Sequence, residues 1–186
     1  ATTAATLNFT NAIRTLESNN EDFWRTSSAV DFPETIKLKV SGEGYQDELA
    51  LRFSSESTLN FDSEHDAYKL SSGEPNAPSF YTVANGDRLS INSLDSLAGT
   101  RSEQLYFQTQ LPGNYQIEMS SKGDFSDDYT IEIEDTKTGI FHDIISNGTY
   151  NFSYTQADGN NRFVIHFNQT SVLTKDIEKV NNISVY

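Results

Sequence analysis

Between residues 36 and 167, apolar and polar side chains alternate in short runs, and each run ends at a cluster of Gly, Asn, Asp or Pro. A two-residue period is the mark of a strand with one buried face and one wet face. Ile36-Lys37-Leu38-Lys39-Val40 is the cleanest run and turns Ile36, Leu38 and Val40 inward. Leu49, Leu51 and Phe53 share a face within residues 48–54. The pattern continues through 67–70, 80–83, 88–92 (Leu89 and Ile91 inward) and 105–107. Residues 115–119, 129–133, 141–145, 150–154 and 163–167 complete it. Asn85-Gly86, Pro112-Gly113-Asn114, Asn147-Gly148 and Asp158-Gly159 lie between runs, and Asn-Gly is a strong hairpin signal. About ten strands at spacings of roughly 8–15 residues predict an all-β fold. The expected architecture is an antiparallel β-sandwich of jelly-roll or immunoglobulin-like kind. A parallel α/β sheet would instead show continuous apolar strands with helices between them.

The flanks are less regular. Leu7-Asn8-Phe9 reads as a first strand, residues 11–20 as a short helical turn, and Trp24 as a core anchor,. Residues 1–30 are expected to pack on, or lead into, a domain spanning 31–168. Residues 169–186 are polar and read as a linker toward a further C-terminal domain,.

Charge narrows the set of partners. The chain holds 27 acids against 13 bases, a net charge of -14. Such a surface repels phosphate backbones and anionic lipid headgroups, so neither nucleic acid nor a membrane is expected as partner. With no Cys, disulfides and thiolate metal sites are excluded. No apolar stretch approaches the ~20 residues of a membrane helix. The first residues lack the basic and apolar regions of a signal peptide and there is no initiator Met, so the chain reads as a piece of a larger protein.

Candidate chemistry is sparse. Asp62, Glu64 and Asp66 sit at alternate positions in Asp62-Ser63-Glu64-His65-Asp66. On an extended segment they would point one way and offer the oxygen ligands that Ca²⁺ takes at about 2.3–2.6 Å. The run lacks the EF-hand pattern, and a solvated acidic turn accounts for the same residues. Calcium is therefore the one cofactor to test. Asp124-Phe125-Ser126-Asp127-Asp128 reads as a polar turn. Glu132 and Glu134 share a strand face, next to Asp135. Paired carboxylates serve glycosidases, yet alternation on a wet face explains these without catalysis. His65, His142 and His166 are scattered, without ligand spacing for zinc,. There is neither a G-x-S-x-G elbow nor a phosphate-cradling Gly loop. Tyr45, Tyr68, Tyr81, Tyr106, Tyr115, Tyr129, Tyr150 and Tyr154 could stack on sugars if exposed, and Tyr150 and Tyr154 share a face with Phe152 that reads as core,. Asn8, Asn147, Asn151, Asn168 and Asn182 open N-x-S/T sequons,.

Five segments carry a family resemblance. They are Asp66-Ala67-Tyr68-Lys69-Leu70, Leu89-Ser90-Ile91-Asn92, residues 113–118, residues 133–139, and Arg162-Phe163-Val164-Ile165-His166-Phe167. In this order they resemble the β-sandwich module that precedes the type IX secretion sorting domain in Bacteroidetes surface and secreted proteins. Ile183-Ser184-Val185-Tyr186 is similar to the start of that sorting domain, and Asp95-Ser96-Leu97 resembles the short motif that Bacteroidetes O-glycosylate on exported proteins. The resemblance implies a secreted or cell-surface, non-catalytic module for adhesion or display, in attachment or gliding. Its partners would be a surface glycan or protein, and the secretion machinery acting through the sorting domain. The alternative is a carbohydrate-binding module with structural calcium, attached to a polysaccharide-degrading enzyme. A row of exposed aromatic side chains would favour the latter.

Overall fold

A computed structural model describes residues 34–170. The strand, helical turn and Trp24 expected within residues 1–30, and the linker and tail beyond residue 170, lie outside the described residues.

The described chain is all-β. Its first half holds β1 (Glu34–Gly42), β2 (Tyr45–Phe53), β3 (Ala67–Tyr68), β4 (Ser79–Ala84), β5 (Asp87–Leu94) and β6 (Arg101–Gln108). Its second half holds β7 (Gly113–Ser121), β8 (Tyr129–Asp135), β9 (Ile140–Asp143), β10 (Tyr150–Tyr154) and β11 (Phe163–Gln169), with a 3-10 turn at Gln156–Asp158. The strands form one sheet in the order β10-β7-β1-β2-β5-β4-β6-β11-β8-β9, and β3 pairs with β5 beside this path. Among the described residues, no helix is long and apolar enough to cross a membrane.

Turn chemistry fixes the hairpins. Glu43 and Gly44 join β1 to β2 with φ of 51° and 85°, and Asn85 and Gly86 join β4 to β5 with φ of 51° and 91°. Two successive left-handed residues make the type I′ turn whose twist matches the flanking strands. Gly42 is required for a different reason. A Cβ there would lie 2.4 Å from the Asn114 carbonyl oxygen and 2.5 Å from the Tyr115 ring, so its absence lets β7 close onto β1.

Two expectations need correction. The sheet is not wholly antiparallel, because β2 and β5 run parallel, Ala50 opposite Ile91 through Phe53 opposite Leu94. The long connection after β2 brings the β4–β5 hairpin back with β5 alongside β2 in the same direction. Ile91 is also only half-buried, while Asn92, Ser93 and Leu94 are buried. Ala67 faces Ile91 and Tyr68 faces Leu89, which leaves Ser90 as an extra residue on β5. Its hydroxyl donates to the carbonyls of Ala67 and Tyr68. One inserted residue flips every later side chain to the other face, so Leu89 is followed in the core by Leu94 rather than Ile91.

The alternation holds in β1, β8, β10 and β11, but β4 buries Phe80, Tyr81 and Thr82 in succession and β9 leaves Ile140 and Phe141 exposed. Ile36, Leu38, Val40, Leu49, Leu51, Phe53, Ile131, Ile133, Phe163, Ile165 and Phe167 are all buried in one apolar cluster. Rings from strands distant in the sheet order meet inside it. Phe53 of β2 lies 5.0 Å from Phe167 of β11, and Phe152 of β10 lies 4.7 Å from Phe163 of β11. The sheet therefore curls until its two end strands approach, with the His142 ring of β9 5.3 Å from the Tyr150 ring of β10.

Candidate functional site

One end of the sheet, where β2, β4 and β11 begin and β6 and β10 end, holds a cleft of about 730 Å³, within the range of small-molecule sites. Gln46 and Asp47 enter from β2, and Arg88 from β5. Residues 69–72 after β3 and the loop 74–79 form one wall, while residues 108–110, Tyr154 and the loop 156–160 form the other. Hydrogen bonds tie the rim segments to one another. Thr109 Oγ1 donates to the Asn76 carbonyl at 2.8 Å, and Gln156 Nε2 donates to the Gln110 carbonyl at 3.2 Å. The Phe107 amide donates to the Asn160 carbonyl at 2.8 Å.

The acids in this cleft have structural duties. Asp47 accepts from Lys69 Nζ at 2.5 Å with one oxygen and from the Phe80 amide at 2.6 Å with the other. The Asp47 and Lys69 side chains are both largely buried. Glu74 accepts from the Asn76 amide at 3.2 Å. In contrast, the side chains of Gln46, Gln108 and Gln110 make no hydrogen bond among the described residues. Arg88 lies with its guanidinium 4.8 Å from the centre of the Tyr81 ring. Burial pushes the Tyr154 phenol above its ordinary pKa, so it lines the cleft as a neutral group.

A buried clasp supports the second wall. Arg162 Nε and Nη2 donate to the two oxygens of Asp135 at 2.7 and 2.6 Å. Its Nη1 donates to the Ser153 carbonyl at 2.7 Å and to Asp158 at 3.1 Å. Tyr150 Oη adds a 2.8 Å bond to Asp135, and Lys137 Nζ reaches Asp158 at 2.7 Å. Burial alone would raise the Asp135 pKa, but the bonds from Arg162 and Tyr150 and the Arg162 charge overcome it and hold the carboxyl below the usual value. Asp158 is likewise held low against burial, by Lys137 and Thr155. The guanidinium also lies 5.1 and 5.2 Å from the Phe152 and Phe163 ring centres. The clasp thus joins β8, β10 and the start of β11, and fixes the loop that carries Asn160 into the cleft.

The structure does not gather Asp62, Glu64 and Asp66 into a cation site. They lie in a turn rather than on an extended strand. Asp66 accepts the Asp62 amide at 2.8 Å and the Ser93 amide at 2.6 Å, and Asp62 accepts the Glu64 amide at 2.9 Å. Among the described residues, no group of three or more His, Cys, Asp or Glu side chains is placed to hold a metal ion. Asp62 and Asp66 brace the turn, and Asp66 ties it to β5. Asp66→Ala is expected to cost about 2 kcal/mol, because two backbone donors lose a charged acceptor. Millimolar calcium is expected to leave the melting midpoint where EDTA leaves it. A calcium-dependent rise that disappears in Asp66→Ala would restore the cation site.

The other expected residues are dispersed. Glu132 accepts from Asn168 Nδ2 at 3.1 Å on the outer face of β8. In the 124–128 turn Phe125 is buried, and Asp127 pairs with Lys122. Tyr81, Tyr115, Tyr129, Tyr150 and Tyr154 are core residues. Tyr45 and Tyr106 are half-buried. Tyr68 is 50% exposed and stacks on Phe61 at 4.2 Å. No row of exposed rings forms among the described residues.

One constellation escapes the sequence pattern. Ser102 of β6, His166 of β11 and Glu134 of β8 line up across three neighbouring strands on the outer face. Ser102 Oγ is 2.7 Å from His166 Nδ1, and His166 Nε2 is 2.9 Å from Glu134 Oε2. A carboxylate only accepts, so Nε2 carries the proton toward Glu134, and in the neutral ring Nδ1 accepts from the Ser102 hydroxyl. Alternation around Ile165 places His166 outward, but the cross-strand register that brings Ser102 and Glu134 beside it has no local signal.

No curated protein and no solved structure matches the chain. The family comparison does find a match, extending from residue 1 through the whole cleft and clasp. The chain belongs to the DUF8693 family, described as a domain of unknown function, which it matches over residues 1–167.

Proposed function

We propose that this chain is a non-catalytic module of an exported, cell-surface or secreted protein, serving adhesion or display through the cleft at the end of its sheet. The observation that carries this reading is the division of labour in the cleft. Its acids are engaged in structural bonds, and so are the Gln156 and Asn160 amides, whereas the side chains of Gln46, Gln108 and Gln110 line it unengaged. Such a site is suited to recognition rather than proton transfer. Under this reading the sheet is a β-sandwich of jelly-roll or immunoglobulin-like kind, β10-β7-β1-β2-β5 packed on β4-β6-β11-β8-β9. The ring contacts between β2 and β11, and between β10 and β11, support it. The module reading rests on the five resembling segments, and the place beside a type IX sorting domain on Ile183-Ser184-Val185-Tyr186 and its position in the chain. The partner is a surface glycan or protein, and the acidic surface disfavours nucleic acid and anionic membranes.

Two tests bear on this. Beads coated with the chain are expected to adhere to a glycan- or protein-bearing surface and to lose adhesion when soluble chain competes. Absence of adhesion to every surface would sink the binding role. The second concerns the Ser102–His166–Glu134 relay, which is read as a strut across three strands. A fluorophosphonate probe for activated serines is expected to leave Ser102 unlabelled. Labelling that Ser102→Ala abolishes would replace the non-catalytic reading with a hydrolytic one.

A further inference from the structure

The geometry points to an uncharged, polyhydroxylated ligand, a short neutral oligosaccharide, as the occupant of the cleft between Gln46, Arg88, Gln108 and Gln110. This rests on the reading of the cleft as a binding site and adds the chemical class of its ligand.

Three features select that class. First, the unengaged groups are carboxamides. Each offers two donors and an acceptor, the same dual capacity that a sugar hydroxyl presents, so vicinal hydroxyls can be met pairwise. Second, the local charge balances. The lining acids are Asp47 and Glu74 and the lining cations are Lys69 and Arg88. The remainder of the chain is strongly acidic and repels anionic polymers at long range. A neutral ligand meets neither penalty. Third, the wall carries apolar patches without a greasy floor. Leu70 is 80% exposed and stands at the rim with Pro75, where C–H faces of a sugar ring can rest. Arg88, held over Tyr81 with no ion pair among the described residues, supplies planar donors beside them,. The rim bonds described above preorganise these groups, which limits the ordering cost of binding.

The test titrates the 186-residue chain with cellohexaose, xylohexaose and mannohexaose, using hexagalacturonic acid as the anionic comparison. Side-chain amide signals are followed by NMR and affinity by calorimetry, at low and high salt. The expected result is binding of at least one neutral oligosaccharide, with the Gln46, Gln108 and Gln110 amide signals shifted. Its affinity should change by less than about twofold with salt, since no charge is screened. Gln108→Ala combined with Gln110→Ala is expected to weaken binding about tenfold or more while the melting midpoint stays unchanged. Neutral-sugar binding that survives in the double variant overturns the cleft assignment, here and in the proposed function, while a binding role elsewhere on the chain stands. Binding of hexagalacturonic acid alone, with steep salt dependence, overturns the neutral class. Failure of all four sugars overturns the ligand class, and the adhesion assay then decides the module reading separately.

Discussion

Arg162→Met is expected to destabilise the protein by about 3–5 kcal/mol and to lower its melting midpoint by about 10 °C. The substitution keeps most of the side-chain volume but strips Asp135 of both charged donors. Asp135 is wholly buried and Arg162 nearly so, and a buried carboxylate left with one phenol and one backbone amide has no adequate replacement for water. Arg162→Lys should recover little, because an ammonium cannot reproduce the two parallel bonds to Asp135 together with those to Ser153 and Asp158. Adding Asp135→Leu to Arg162→Met should restore much of the loss, since the desolvation cost leaves with the charge. Acid should mimic the single variant. Asp135 and Asp158 are held below the ordinary carboxylate range when folded, so on acidification the unfolded chain binds protons first. Their contribution is complete above the unfolded-state values, about 4, and disappears as pH falls through the folded values. Urea denaturation of the three variants from neutral to acid pH is the measurement. A loss under about 1 kcal/mol for Arg162→Met at neutral pH would show that the clasp is not buried as described.

Phe107→Ala is the second large effect, again about 3–5 kcal/mol. Phe107 lies on β6 and is 1% exposed. Its ring meets Tyr115 at 5.1 Å, Phe152 at 5.3 Å and Tyr154 at 4.9 Å. Those partners sit on β7 and β10, at the far side of the sheet order, so truncating the ring opens a cavity where the two halves face one another. Phe107→Leu keeps part of the volume and should cost less, about 1–2 kcal/mol. Phe141→Ala provides the contrast. That ring is 55% exposed on β9, and its loss should fall within about 0.5 kcal/mol. Equal losses at the two positions would contradict the inward and outward assignments of β6 and β9.

How far the sequence revealed this depends on which interaction sets each feature. Alternation is local, so Ile36, Leu38 and Val40, or Ile131 and Ile133, could be placed inward from the pattern alone. Continuing that alternation two residues past Ile133 also puts Asp135 inward, which marks a buried acid in need of a partner. Arg162, just before the last strand, satisfies it, but 27 residues separate them and no local pattern joins the pair. Ile91 was misplaced because a single extra residue at Ser90 resets the period, and bulges leave little trace in composition. The parallel β2–β5 ladder follows from the route of a long connection, which periodicity does not encode. The cleft is assembled from segments spread between Gln46 and Asn160, most of them on loops, where amides are common and unremarkable until they converge. The acidic run at 62–66 shows the opposite limit. Its spacing suggests ligands only if the backbone is extended, and a turn aims the same carboxylates at amide groups.

The sheet order also decides where tension would fall. The first described strand, β1, lies between β7 and β2, and the last, β11, lies between β6 and β8. A pull applied at residues 34 and 169 would therefore act on strands that are interior to the described sheet. Neither can be peeled away without opening a ladder on both sides, whereas the edge strands β9 and β10 lie off the line of load. If the proposed display role holds, load applied at those two residues would fall on strands held by a ladder on each side.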